Sequence, residues 1–529
     1  MNPRYLACVG RSLVLLVVLL LIDPLTVNAQ LGTAYEYPVK SINLDNALSV
    51  VYYGLVSSET ATVVDAHPVH GCKTSDGGYV AVGKGVEKEG SAATEAFAVK
   101  VDSKGKFLWA WKSGLAGKDG ANAVAEVSSV DIAVVGYSTR ANVTYRTIWK
   151  INAATGKLVW TATGFGDSAG SYGAYEMIEV DTTSAYVSGI FKLNQNDELS
   201  FKSYGNTEGG QAIVQKFPLS AIAATYAPTS SNVSWSVPVA AYGSAKAARV
   251  IGSNLAVLLW GKAKPYHCAL QMLNPSTGAT IWGPREYSST MGEGTDVQAA
   301  ANGKSLVIAG MGGSIGIQGQ ILNVNASNGT VNWLKSYSAG GNPKIILNEC
   351  WGALALSDGY AMSCGTGIED GSCDSLSEPL KSNCSAGKGD SREGAYPRKP
   401  GIWQSLLVRT DLNGTLIWQR VDSYRGPDEK TLKELNGQTS SSASEWIFAD
   451  GNDFVAINDE VGGAGFLKLG KSQAPTLAPS VTTPAPSVIT PDSSVTTPKP
   501  VADPGQVSAG FVNGPTWLAN ILCLLMAMH

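Results

Sequence analysis

The sequence predicts an all-β fold, a seven-bladed β-propeller whose four-stranded blades are closed by an N-terminal strand. An apolar segment that ends in glycine recurs at residues 79–83, 132–136, 185–189, 256–261, 306–310 and 360–365, with a copy at 454–458 that ends in asparagine. A glycine-containing turn that leads into tryptophan recurs with it, at residues 102–109, 152–160, 274–282, 325–333 and 411–418. The period of roughly 50 residues is typical of a propeller blade.

The first 29 residues predict a secretory signal peptide. Arg4 and Arg11 precede an uninterrupted apolar run at residues 13–22, and the small residues Val27 and Ala29 fit a cleavage site. A retained membrane anchor is the alternative. We therefore expect a protein of the secretory pathway.

The propeller is expected to span residues 30–472, and its ring has to close. The seventh blade lacks an outer strand before the chain changes composition, whereas residues 41–54 align with residues 101–114 of the first blade. Residues 47–53 are therefore predicted to supply the missing strand. Closure of this kind removes the free sheet edges that an open array would expose.

Two blades carry long insertions, one between Phe191 and Gly210 and a larger polar one at residues 369–400. Loops on a rigid scaffold often carry the residues that bind ligands. A tolerated insert without a function is the alternative.

Six cysteines lie in the predicted propeller, an even number for an oxidising compartment. Cys350 and Cys364 flank a turn almost symmetrically, so a hairpin would place them opposite one another. Cys373 and Cys384 share the larger insertion and are expected to bridge it. The other two, Cys72 and Cys268, belong to blades across the ring and are expected to remain single thiols.

Six glycosylation sequons occur in the predicted propeller, at Asn142, Asn232, Asn325, Asn328, Asn383 and Asn413. The segment that follows the propeller, residues 473–507, is rich in Pro, Thr and Ser and cannot bury enough apolar surface to fold, so we predict a disordered, O-glycosylated stalk. Residues 508–529 combine small residues, a spacer and a short apolar tail, which resembles a glycosylphosphatidylinositol (GPI) attachment signal with Ser508 as the attachment residue. A short tail with chance hydrophobic residues is the alternative.

The turn at residues 155–160, Thr-Gly-Lys-Leu-Val-Trp, resembles the blade repeat of the pyrroloquinoline-quinone (quinoprotein) superfamily. Residues 74–109 look like the repeats of secreted β-propellers that are common in bacterial surface proteins. The resemblance covers residues 45–470 and implies the propeller architecture. Quinone enzymes of that superfamily also use vicinal cysteines, or a cationic cofactor clamp with a calcium site. Because the sequence has no vicinal pair and no obvious clamp, no cofactor or catalysis is carried over.

Polar residues near the start of each predicted inner strand suggest a ring at one mouth of the central channel. These residues are Asp65, Asn122, Glu176, Arg249, Asp296, Glu349 and Glu445. The carboxylates of Asp65, Asp296, Glu349 and Glu445 are the candidate ligands for a cation such as Ca²⁺. The alternative is that a polar residue merely caps the start of each inner strand. His67 and His70 are interpreted as ordinary residues of an inner strand, because a zinc or copper site needs further ligands and none lie nearby in the sequence.

The sequence favours a binding or adhesion module for an extracellular protein or glycan, displayed as a monomer at the outer face of the plasma membrane or in the cell wall through its GPI anchor. The formal net charge of −4 gives no electrostatic support for nucleic-acid binding. One alternative is an extracellular propeller enzyme that is quinone-dependent or acts on carbohydrate, and another is a structural component of the cell wall. Whether the chain is an enzyme stays open, because no convergent acid–base pair accompanies the carboxylates.

Overall fold

A computed structural model describes residues 50–54, 64–86, 93–114, 117–141, 143–163, 172–191, 210–262, 268–287, 290–312, 318–337, 347–367, 403–422, 442–451, 453–460 and 463–470. The predicted signal peptide, stalk and attachment signal with Ser508 lie outside these residues. The same holds for most of the larger insertion, with Cys373, Cys384 and Asn383, and for Asn142. Within the described part of the chain, no helix is both long and apolar enough to cross a lipid bilayer.

The described strands form seven four-stranded antiparallel sheets, which confirms the predicted propeller. Blade 1 contains β2 (Val64–Lys73), β3 (Tyr79–Val86), β4 (Glu95–Val101) and β5 (Phe107–Lys112). Blade 2 contains β6 (Asp119–Ser128), β7 (Asp131–Arg140), β8 (Val143–Asn152) and β9 (Leu158–Thr163). Blade 3 contains β10 (Gly173–Val180), β11 (Ser184–Phe191), β12 (Gln211–Pro218) and β13 (Trp235–Val239), with helix α1 (Leu219–Ala223) and a 3-10 turn (Ser230–Asn232) before β13.

Blade 4 contains β14 (Tyr242–Ile251), β15 (Asn254–Gly261), β16 (Cys268–Leu273) and β17 (Thr280–Glu286). Blade 5 contains β18 (Glu293–Ala299), β19 (Ser305–Gly312), β20 (Gln318–Asn325) and β21 (Val331–Tyr337). Blade 6 contains β22 (Leu347–Leu356), β23 (Gly359–Gly367), β24 (Trp403–Thr410) and β25 (Leu416–Asp422). Blade 7 contains β26 (Ser442–Asp450), β27 (Asp453–Glu460), β28 (Gly463–Gly470) and, at its edge, β1 (Val50–Gly54).

The ring closes through β1, as the sequence predicted. This strand pairs antiparallel with β28, with Val50 opposite Leu467 and Gly54 opposite Gly463. The last blade is therefore built from both ends of the propeller. Because β28 would otherwise be an edge strand, the pairing covers a row of backbone hydrogen-bonding groups.

The strands of each blade are called A to D from the channel outwards. Because the strands alternate in direction, the A–B and C–D turns lie at one end of the ring, here called the turn end. The B–C and D–A connections, which include both long insertions, start and finish at the other end, here called the loop end.

The recurring glycine of strand B lies where a bulge in strand A brings the two backbones together. A Cβ atom on Gly136 would lie 1.9 Å from the carbonyl oxygen of Gly120, and one on Gly310 would lie 1.9 Å from that of Glu293. Only glycine leaves room for that oxygen.

The strand pairing shows that two of the glycines expected at this position from the sequence do not lie there. Leu259 takes its place in blade 4 instead of Gly261, and Cys364 takes it in blade 6 instead of Gly365. Cys364 pairs there with Cys350, and the two form the predicted disulfide. Cys72 and Cys268 are free thiols.

The tryptophans of the outer strands pack one blade on the next, as the sequence predicted. The indole N–H of Trp109 donates to the carbonyl of Ala153, 3.0 Å away in the next blade, and that of Trp282 donates to Ala326 at 3.1 Å. Trp160 and Trp235 make the same kind of bond, to Ala224 and Pro275. Each bond joins an outer strand to the C–D connection of the following blade.

Candidate functional site

The candidate site is the mouth of the central channel at the loop end, where the bulges of the inner strands lie. The residues at the bulge are Val69, Asn122, Glu176, Lys246, Thr295, Trp351 and Glu445. Of the seven polar residues expected at one level of strand A, three are bulge residues, namely Asn122, Glu176 and Glu445. The expectation is wrong for Arg249 and Asp296, which lie beyond the bulge, and for Asp65 and Glu349, which lie before it. Asp296 lies one residue beyond the bulge and Arg249 three, whereas Glu349 lies two residues before it and Asp65 four. The sequence-based alignment of the inner strands was therefore offset by a different amount in these blades.

Some bulge side chains cap the neighbouring strand. The Asn122 carboxamide donates to the carbonyl of Tyr175 at 2.7 Å, and the Thr295 hydroxyl donates to the carbonyl of Cys350 at 2.8 Å. In each pair the acceptor is the residue just before the bulge of the next blade. These contacts support the capping alternative for uncharged residues at this level.

Four side chains meet at the mouth between blades 7 and 1. The Nδ1 atom of His67 contacts a carboxylate oxygen of Asp459. His67, Glu445 and Asp459 each offer one ligand atom, and these atoms lie within 4.8 Å of one another. Glu445 and Asp459 are buried and His67 is partly exposed. Lys84 is directly opposite His67 in the β2–β3 pair and is also buried.

Lys84 is a residue of this mouth whose pKa differs strongly from its ordinary value. Burial lowers the pKa of Lys84 to about 7, although the nearby carboxylates of Glu445, Asp459 and Glu176 favour its charged form. Lys246 lowers the pKa further. The ammonium of Lys84 is therefore close to its midpoint at neutral pH.

The opposite side of the mouth carries a second ion pair. The Lys246 ammonium is 3.3 Å from the Glu176 carboxylate and 4.4 Å from the centroid of the Trp260 ring. The indole N–H of Trp260 donates to the carbonyl of Gly294 in the next blade. Blades 3, 4 and 5 are thus linked at this level by one charged pair and one aromatic ring.

Deeper in the channel, Arg249 forms the central contact. It reaches the Glu179 carboxylate at 2.9 Å and the Asp296 carboxylate at 3.1 Å, in the blades on either side of its own. Asp296 is fully buried, and it also accepts the backbone N–H of Ala353 at 3.2 Å. Although burial alone would lower the pKa of Arg249, the two carboxylates raise it above its usual value, so this guanidinium stays charged.

His70 and Trp446 pack beside this guanidinium, with ring centroids 4.1 Å apart. The backbone N–H of Val124 donates to Nδ1 of His70 at 3.3 Å. Burial, and then the charge of Arg249, hold the pKa of His70 well below its usual value. His70 is therefore a neutral residue of the channel wall.

The cation site expected from Asp65, Asp296, Glu349 and Glu445 stays a prediction. In the structure these residues lie at different positions along their strands. Asp296 pairs with Arg249, whereas Glu445 lies with His67 and Asp459. Glu349 is half-buried on β22, opposite Gly365, and the side chain of Asp65 lies outside the described residues.

Four predicted sequons can be placed in the fold. Asn325 is the last residue of β20 and Asn328 lies in the C–D turn that follows it, whereas Asn413 lies in the C–D turn of blade 6. Asn232 lies in the C–D connection of blade 3. All four therefore lie at the turn end.

Sequence reasoning missed a ring of buried and half-buried polar residues on strand C. Its members are Lys100, Lys150, Lys216, Asn323, Arg409 and Lys468, with Met272 in blade 4. Lys100 bridges the Asp76 carboxylate and the carbonyl of Ala153 in the next blade, and Lys150 pairs with Asp131 at 2.8 Å. The available signal was a polar residue that interrupts the apolar strand C in six of the seven blades.

Sequence reasoning also missed Asp459 and Lys84 at the mouth. Each comes one residue after the position of the recurring strand-B glycine. In the other blades this next position is Tyr137, Ile190, Trp260, Met311 or Gly365. Because the residue type varies from blade to blade, no repeat pattern marks this position.

No protein-family model matches the chain, and no curated protein matches it. Among solved structures, Sqt1 from Chaetomium thermophilum bound to the N-terminus of the ribosomal protein L10 is similar with 11% identity and a TM-score of 0.41, over 79% of this chain and 98% of that chain. Puromycin hydrolase is similar with 12% identity and a TM-score of 0.38, over 77% of this chain and 53% of that chain. At such low similarity, neither the ribosomal-protein binding of the first nor the hydrolase activity of the second is transferred to this chain.

Proposed function

We propose that this chain is a cell-surface binding module, a secreted and glycosylated propeller whose loop end captures an extracellular protein or glycan. A GPI anchor at Ser508 and the stalk at residues 473–507 hold it away from the membrane. The observation that carries the proposal is the asymmetry of the ring. The turn end consists mainly of tight turns, whereas the charged mouth lies at the loop end, where the connections at residues 192–209 and 368–402 start and finish.

The predicted sequons are distributed over both ends of the ring. Asn325, Asn328 and Asn413 lie at the turn end, whereas Asn142 and Asn383 belong to B–C connections, which start and finish at the loop end. Because glycans are bulky and solubilising, the sequons by themselves favour neither end as the binding surface. The rigid blades then hold the loop-end connections in place, as in other scaffolds that bind through loops.

The decisive experiment is a binding screen with residues 30–507 secreted as a soluble protein, applied to arrays of glycans and protein ectodomains. We expect a ligand whose binding is lost when residues 369–400 are replaced by a short Gly-Ser turn. Replacement of the turn at residues 326–329 by the turn at residues 153–156 is the matched control and should leave binding unchanged. A ligand that is lost only with the control would place the binding surface at the turn end.

Display is tested separately on intact cells. Phosphatidylinositol-specific phospholipase C should release the protein, and replacement of residues 508–510 by bulky residues should prevent its display. Protein that stays on the cells after the lipase, with its C-terminal tail still detected by mass spectrometry, would contradict the GPI anchor.

One observation favours the enzyme alternative. A buried lysine with a pKa of about 7 next to carboxylates is the kind of group that enzymes use as a general base or nucleophile. Lys84 would have that role at the mouth. Reaction of the native chain with an amine-specific acylating reagent near pH 7, followed by peptide mapping, tests it: preferential labelling of Lys84 would support an enzyme, and labelling of surface lysines alone would not.

A further inference from the structure

We propose that His67, Glu445 and Asp459 form a zinc site that joins the first and last blades at the loop end of the channel. His67 belongs to β2 of blade 1, whereas Glu445 and Asp459 belong to β26 and β27 of blade 7. The site is separate from the four-carboxylate ring expected from the sequence and shares only Glu445 with it.

The donor set is suited to a first-row divalent cation. One imidazole nitrogen and two carboxylate oxygens lie within 4.8 Å of one another. Tetrahedral zinc with bonds of about 2.0–2.2 Å requires separations between ligand atoms of roughly 3.3 Å, so small rotations of the three side chains complete the site. Calcium prefers six to eight oxygen ligands, and the imidazole argues against it.

Burial and charge support the same assignment. Glu445 is 6% exposed and Asp459 is 8% exposed, so both carboxylates face a poorly solvated surrounding in which an ion is held strongly. The two carboxylates bring two negative charges to this place, which a divalent cation would offset.

His67 gives the site its contact with solvent, because its side chain is 29% exposed whereas both carboxylates are buried. A zinc ion with three protein ligands keeps one position for water or for a ligand atom. Because the three residues come from the two ends of the chain, the ion would also stabilise the closed ring.

The test uses the full chain, purified without a histidine tag and freed of metal by chelation and dialysis. Calorimetric titration with zinc chloride should show one equivalent bound, and zinc should raise the melting temperature by mass action. His67→Ala and Asp459→Asn should each weaken zinc binding at least about 100-fold, since each removes a ligand. Asp453→Asn is the matched control, because this carboxylate is at the start of β27, at the turn end, and its variant should bind zinc as the wild type does.

A wild-type chain that shows neither heat of binding nor a change of melting temperature with zinc would overturn the proposal. Zinc affinity that survives in His67→Ala would also overturn it, and so would calcium binding as tight as zinc binding. Should the variants fail to fold, cobalt(II) added to the wild type decides: visible absorption bands that one equivalent of zinc abolishes support the site, and the absence of such bands refutes it.

Discussion

The guanidinium of Arg249 lies 5.3 Å from the centroid of the Trp446 ring, so a side chain of blade 4 contacts a side chain of blade 7 across the channel. The same guanidinium pairs with Glu179 of blade 3 and Asp296 of blade 5. One residue therefore links four of the seven blades. Side chains from these four blades therefore meet at this depth of the channel.

Replacement of Arg249 by methionine should destabilise the chain by about 3–5 kcal/mol, because the fully buried carboxylate of Asp296 would lose its counter-charge. Urea unfolding followed by tryptophan fluorescence measures the change. The double variant Arg249→Met with Asp296→Asn should recover part of the loss, since the fully buried carboxylate is then a neutral amide and only the more exposed Glu179 loses its partner. Two single variants whose losses simply add in the double variant would show that the pair does not interact.

Stability should rise with pH between about 7 and 10.5 through Lys84. Burial lowers the pKa of Lys84 from 10.5 to about 7 in the folded chain, so within this window the unfolded chain binds more protons. Stability increases with pH wherever the unfolded state binds more protons, by at most about 1.4 kcal/mol per pH unit for one group. This contribution is complete above pH 10.5 and is lost as the pH falls through 7.

Measurements at pH 7–9 are the most direct, because burial raises the pKa values of tyrosines such as Tyr287 and these groups act in the opposite direction above pH 10. The slope of unfolding free energy against pH should be smaller in Lys84→Met than in the wild type. Equal slopes would show that Lys84 keeps its proton throughout this range.

Tryptophan replacements can separate the inter-blade hydrogen bond from the packing of the ring. Trp282→Phe keeps an aromatic ring but removes the donor to Ala326, and should cost about 1 kcal/mol from the bond in addition to the smaller ring. Trp418→Phe is the matched control, because among the described residues the indole nitrogen of Trp418 has no hydrogen-bond partner. Chemical denaturation of both variants compares the two costs, and an equal loss would assign the effect to packing alone.

Removal of residues 30–54 should open the ring, because it deletes β1 and leaves β28 as an exposed edge. We expect aggregation, or a loss of cooperative unfolding, in size-exclusion chromatography and thermal melts. Removal of residues 30–45, which keeps β1, is the control. A chain without β1 that stays monomeric and melts as the wild type does would show that the pairing of β1 with β28 is dispensable.

The architecture followed from local chemistry, which repeats along the chain. Glycine occurs in four blades where a bulged inner strand approaches strand B, as at Gly136 and Gly310, and tryptophan recurs where outer strands pack on the next blade. Because such features recur in most blades, they leave a period in the sequence. The closing strand was visible for the same reason, since residues 41–54 keep the pattern of a strand D.

The composition of the channel mouth depended on the tertiary structure. Arg249 and Asp296 were expected at the level of Glu445, but they lie three residues and one residue beyond the bulges of their strands, where they pair with one another. His67 and Asp459 are 392 residues apart, and only closure of the ring brings them into contact. The repeat period of the sequence reflects the features that the blades share. The site consists of residues at positions where the blades differ. Closure of the ring decides which of these residues lie close together.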